Sequence, residues 1–192
     1  MAPPPSSRER ALWIGTGLTV AAIYISIPFA GTLSEALRSS GLLAPAFALC
    51  FVLAIALTVG RSVWGSRAPR AFWVAAAVVT VWGMLFVRMG VTAEERSHLF
   101  EYGLLGLLIL ELLMERRRTG RPAPAPVITA VLSTAALGWI DEGIQAVVPG
   151  RVYDLRDVGV NALAGAVAVL SSMALRWATK GRDVAHRDGS AV

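Results

Sequence analysis

The stretch GWIDEGIQAVVPGRVYDLRDVGVN (residues 138–161) decides how this chain is built. An apolar run leads into it from residue 127, and another leads away from it to residue 178. Between them lies a Pro149-Gly150 turn. Asp141 and Glu142 stand in the last third of the first run, and Asp157 and Asn161 open the second. Two apolar helices joined at a tight turn form a membrane hairpin. A charge inside such a helix costs several kcal/mol unless it is used or compensated. Gly138, Asp141, Glu142 and Gln145 fall on one helical face, as do Asp157 and Asn161. Glu142 precedes the turn by some six residues, which places it about 9 Å below the end of its helix.

The same pattern extends outward over the whole chain. Of 192 residues, 55% are hydrophobic, and the charged ones collect at the ends of long apolar runs. The mean hydropathy is +0.60. A membrane helix needs roughly 20 mostly apolar residues. Spans are expected near 11–30, 41–60, 71–88, 98–114, 127–148 and 158–178. The predicted fold class is all-α, a polytopic transmembrane helical bundle of about six spans, or five if the first is cleaved as a signal peptide. Its apolar stretch is longer than a usual signal core and no A-x-A site follows it, which favours retention. Residues 1–10 and 179–192 read as disordered tails around one transmembrane domain, 11–178. RPAPAPV at 121–127 reads as a stiff connector, because alternating proline cannot continue a helix. Cys50, the single cysteine, lies in an apolar run and reads as a plain thiol.

The positive charges set an orientation. With the N-terminus inside, 13 of the 18 Lys and Arg fall on the inner side and 5 on the outer. Arg8, Arg10, Arg61, Arg67, Arg70, Arg116, Arg117, Arg118 and Arg121 are among the inner set. That bias predicts cytoplasmic N- and C-termini in a multi-pass protein of the cytoplasmic membrane. The net charge of +5 is spread along span ends, which excludes a nucleic-acid partner and suits anionic head groups. Trp13, Trp73 and Trp177 fall at inner span ends, where interface anchors sit.

Three polar segments then converge on the outer side. In EERSHLFEYG (94–103), His98, Glu101 and Tyr102 share a helix face at the start of span four. Span five ends outside with Asp141, Glu142 and Gln145, and the turn carries Arg151 and Asp154 into Asp157 and Asn161. One acidic pocket can therefore gather His98, Glu101, Glu142, Asp154, Asp157 and Asn161. An oxygen-rich cluster suits a hard cation, Ca²⁺ or Mg²⁺, and Glu101, Glu142, Asp154 and Asp157 are its candidate ligands. His98 suits proton transfer, and Arg151 can grip a phosphate by two hydrogen bonds. The competing reading is a set of ion pairs stapling helix ends, Arg151 and Arg156 to Asp154 and Asp157, with Glu101 to His98. Glu111, near Arg116–Arg118, is expected to be paired or to snorkel.

At SHLFEYGLLG (97–106) and WIDEGIQAVVPGRVYDLRDVGVN (139–161) the chain resembles the VanZ-like family of bacterial membrane proteins. The matching positions are His98, Tyr102, Glu142, Gln145, Pro149, Gly150, Arg151, Asp154, Asp157 and Asn161, about a third of the chain's length being covered. One departure is Ala164 where the family often has glycine, with Gly165 next. The resemblance implies a cell-envelope protein, in a family whose founding member is associated with teicoplanin resistance. It also implies kinship of fold with enzymes acting on phosphate-linked lipid head groups.

The expected function is therefore hydrolysis or transfer at a lipid phosphate linkage on the extracytoplasmic face. The expected partner is a membrane lipid or a lipid-linked cell-wall precursor. His98, Glu101, Glu142 and Asp157 are the candidate catalytic residues. Tyr102, Asp141, Gln145, Arg151 and Asn161 are the candidate substrate contacts. The alternative is a non-catalytic lipid- or antibiotic-binding envelope protein. A transporter would need polar groups through the full thickness, and the inner halves of the spans offer few.

Overall fold

The computed structural model describes residues 3–64, 68–89, 93–149, 151 and 153–179. It consists of six helices: α1 (Ser7–Ser39), α2 (Leu43–Val63), α3 (Pro69–Met89), α4 (Ala93–Arg118), α5 (Pro126–Gln145) and α6 (Leu155–Thr179). All six are long and apolar enough to cross a membrane. The protein is a polytopic α-helical membrane protein.

The helix bounds differ from the sequence expectation at both ends of α1. Residues 7–10, expected in the tail, form its first turn. The Ser6 hydroxyl accepts the Glu9 backbone N–H at 3.0 Å, an N-terminal cap. At the other end α1 runs on to Ser39. Its 33 residues span about 50 Å against a hydrocarbon core of about 30 Å. Span five ends at Gln145 rather than 148, because tight i→i−3 bonds from Val147 and Val148 close the chain toward Pro149. The tail beyond Thr179 lies outside the described residues.

Consecutive helices alternate in direction. The start of α1 meets the end of α4, where Arg8 pairs with Glu111 at 3.0 Å and Ser6 donates to Glu115 at 2.9 Å. Arg70 at the start of α3 donates to the Ala178 carbonyl at the end of α6. These contacts define a basic end of the bundle. Glu111 is paired there, to Arg8 and Arg176. Trp13, Trp73 and Trp177 are exposed at this end, with Arg70 stacked 4.9 Å over the Trp177 ring. Gly120, in the left-handed region at φ 73°, terminates α4 before the proline-rich connector.

Helices α4, α5 and α6 form the core with α1 against them, while α2 presents no buried residue in its membrane-spanning window. Small residues let the core helices meet. A Cβ built on Gly165 would collide with the Thr134 side chain, and one on Gly106 would lie 3.0 Å from the Gly165 carbonyl. Close backbone approach through small residues is how membrane helices gain packing energy without a hydrophobic drive between them. Ala164 is fully buried, and Gly165 makes the close contact.

Candidate functional site

The end opposite the basic one gathers the polar residues of α4, α5 and α6. His98, Tyr102, Asp141, Glu142, Gln145 and Asn161 are each at most 7% exposed. On α4, the i, i+4 spacing stacks the His98 and Tyr102 rings, with centroids 5.9 Å apart and planes 18° from parallel. His98 Nδ1 faces the Asp141 carboxylate at 3.8 Å, and the Tyr102 phenol lies against the same carboxylate. Glu101, half-buried, receives a hydrogen bond from Ser97 one turn earlier.

On α5 the predicted shared face is observed. Gln145 donates through one nitrogen to Asp141 Oδ2 at 3.2 Å and to Glu142 Oε1 at 3.1 Å. That amide holds two adjacent carboxylates in fixed rotamers. Glu142 Oε2 accepts the Asp154 backbone N–H at 3.2 Å, which ties the turn back onto α5.

On α6, Asp154 and Asp157 differ in setting. The exposed Asp154 accepts the Arg156 backbone N–H at 2.8 Å, a helix-capping bond. Asp157, one turn in, is half-buried and faces the site. One ligand-type atom from each of His98, Glu142 and Asp157 lies within 4.8 Å of the others. Of the four carboxylates expected to hold a cation, Glu142 and Asp157 belong to this group; Glu101 and Asp154 do not. Asn161 lies deeper, its Nδ2 3.4 Å from the Gly138 carbonyl. A Cβ on Gly138 would fall 2.6 Å from Asn161 Cβ, so glycine is what lets α5 and α6 close under the site.

A groove of about 190 Å³ opens onto this cluster. Its polar end is made by His98, Glu101, Asp141, Gln145 and Arg151. Its long wall is apolar and belongs to α1 and α2, with Ile27, Leu33, Leu37 and Phe47 along it. The extra length of α1 beyond residue 30 supplies part of that wall. A larger cavity, about 350 Å³, lies among α2, α3, α4 and α6 and carries no ionisable side chain.

The sequence reading missed the α1 contribution. Tyr24 donates to the Leu137 carbonyl at 2.9 Å and stands within electrostatic reach of Asp141 and Tyr102. It sits in an apolar run with no polar neighbour at helical spacing, so nothing local marks it. Ser97 was legible as the residue four before Glu101.

Compared with known proteins, the chain matches no family model, no curated protein and no solved structure.

Proposed function

We propose that this is a VanZ-like cell-envelope enzyme that hydrolyses or exchanges the phosphate-linked head group of a membrane lipid or lipid-linked precursor. The reaction takes place at the extracytoplasmic face, the side assigned to this end by the count of positive charges. The observation that carries the reading is the continuity between the apolar groove of α1 and α2 and the buried polar cluster. An amphipathic ligand matches that profile: chain along Ile27, Leu33 and Phe47, phosphate at Arg151 and His98.

The roles follow from position. Arg151 holds phosphate oxygens. Asp141 orients the His98 imidazole, which takes a proton from the attacking water or alcohol and returns it to the leaving oxygen as the P–O bond breaks. Glu142 and Asp157 flank the reacting phosphate on the α5 and α6 side. Tyr102, Gln145 and Asn161 lie behind this front, so their part is to position it.

The test is to incubate purified protein with lipid II, undecaprenyl phosphates and phospholipids, with and without added divalent cation, and to measure head-group release. Release from one of them that is lost in His98→Ala supports the enzyme. Ligand binding without turnover, unchanged in His98→Ala, supports instead a lipid- or antibiotic-binding protein. The groove alone would serve that second reading. Any link to teicoplanin susceptibility is tested by expressing the wild type and His98→Ala in a sensitive host.

A further inference from the structure

We infer that His98, Glu142 and Asp157 are the protein ligands of a divalent-cation site, with Asp141 as the outer-shell partner that fixes the imidazole. The inference concerns the same chamber as the proposed reaction and rests on that reading with one change, since a His98 imidazole bound to the ion would hold it in place of carrying the proton; cation binding stands or falls without turnover.

The geometry comes first. Three atoms mutually within 4.8 Å lie no more than about 2.8 Å from a common centre, and nitrogen and oxygen ligands close on a metal at ~2.0–2.2 Å. Movements of less than an ångström in three side chains complete the contact. The three ligands come from three helices, α4, α5 and α6, so packing of the core sets their spacing. Three protein ligands leave positions open for water or a phosphate oxygen, the arrangement of a catalytic rather than a structural metal.

A second observation points the same way. Asp141 is 1% exposed, and its Oδ2 lies 3.8 Å from His98 Nδ1. Asn161 Oδ1, one turn below Asp157, is buried with no hydrogen-bond partner among the described residues. Buried acceptors are almost always satisfied. Water molecules on a bound cation donate hydrogen bonds to acceptors of this kind. A carboxylate behind a metal-binding histidine is also the usual outer-shell arrangement, since it fixes the tautomer and orientation of the ring.

The donor set selects the ion. One imidazole with two carboxylates suits Zn²⁺ or Mn²⁺, whereas Ca²⁺ takes six to eight oxygens. This differs from the Ca²⁺ or Mg²⁺ that the carboxylates alone imply. Glu101 stays on the groove wall and Asp154 caps α6, so neither joins the set.

The experiment uses the full chain in detergent. The protein is stripped with chelator, loaded with Zn²⁺ or Mn²⁺, desalted and assayed for metal per chain by mass spectrometry. Mn²⁺ affinity is read from the free-ion signal in electron paramagnetic resonance. The expected result is one ion per chain in the wild type and in Glu101→Gln and Asp154→Asn. His98→Ala, Glu142→Gln and Asp157→Asn lose the ion, and Asp141→Asn weakens it by about 10–100-fold. Circular dichroism confirms that each variant keeps its helices. A wild type that retains neither Zn²⁺ nor Mn²⁺ above a buffer blank overturns the inference. So does retention unchanged by His98→Ala and Glu142→Gln. Metal retained without head-group release refutes only the enzyme; release without metal refutes only the cation site.

Discussion

Replacing Gly138 by alanine tests whether the contact between α5 and α6 sets the geometry of the polar cluster. The added Cβ would lie 2.6 Å from Asn161 Cβ and 3.2 Å from its Nδ2. Carbon atoms rest at about 3.5–4.0 Å, so the helices must part locally by roughly 1 Å. Neither partner can swing clear, because one is a backbone-anchored Cβ and the other belongs to a fully buried side chain. Overpacking of this kind costs about 1–3 kcal/mol. For a chain of this size each kcal/mol lowers the unfolding midpoint by ~2–4 °C. Gly138 lies one turn below Glu142, and Asn161 one turn below Asp157. The same displacement therefore widens the gap between those carboxylates and weakens any ligand they share. The control is Gly143→Ala on the same helix, where an added Cβ meets nothing within 4 Å. There alanine is neutral or stabilising, by up to ~1 kcal/mol from helix propensity. Thermal unfolding in detergent, with Mn²⁺ affinity measured in parallel, compares the two. Equal midpoints and equal affinities would refute the claim that this close approach holds the site.

Glu9→Gln removes the carboxylate that faces Arg116 at 3.1 Å and Arg121 at 3.5 Å, and we expect a loss of about 3 kcal/mol, read from the unfolding midpoint. Mn²⁺ binding at the far end of the bundle stays at the wild-type level; a matching loss there would contradict the separation of the two ends. Orientation is checked in a Cys50→Ser background with a membrane-impermeant maleimide. Pro149→Cys reacts in intact cells and Pro122→Cys only after permeabilisation, and the reverse pattern would place the polar cluster on the cytoplasmic side.

The parts legible in the sequence were those written in local spacing. Six apolar runs at bilayer length gave six helices, and His98 with Tyr102, or Asp141 with Gln145, met because i and i+4 lie on one face. The first turn of α1 was equally local, since Ser6 and Glu9 form a capping pair, but the prolines and serines before it read as a tail. What spacing could not give was contact between helices. That Tyr24 reaches Leu137, or that Gly138 admits Asn161, depends on the rotation and depth of each helix. Those are set by small residues whose meaning appears only in packing. The same limit explains the cation ligands. Sequence put the four candidate cation ligands at one end, but separating Asp157 from Asp154 required knowing where α6 begins.

The two ends of the bundle bear on the ion-pair reading of the buried acids. At the basic end, each acid has arginines within 4 Å: Glu9 has Arg116 and Arg121, Glu111 has Arg8 and Arg176, and Glu115 has Arg8 and Arg118. That is what a structural staple requires, and it binds the N-terminal turn to the end of α4. At the other end, Glu142 is held by the Gln145 amide and a backbone N–H, and Asp141 by that same amide. Asp141 also faces the His98 imidazole at 3.8 Å and lies within electrostatic reach of Arg151. Amide-held carboxylates beside an imidazole, at the head of an apolar groove, thus differ from the arginine-clamped acids of the basic end.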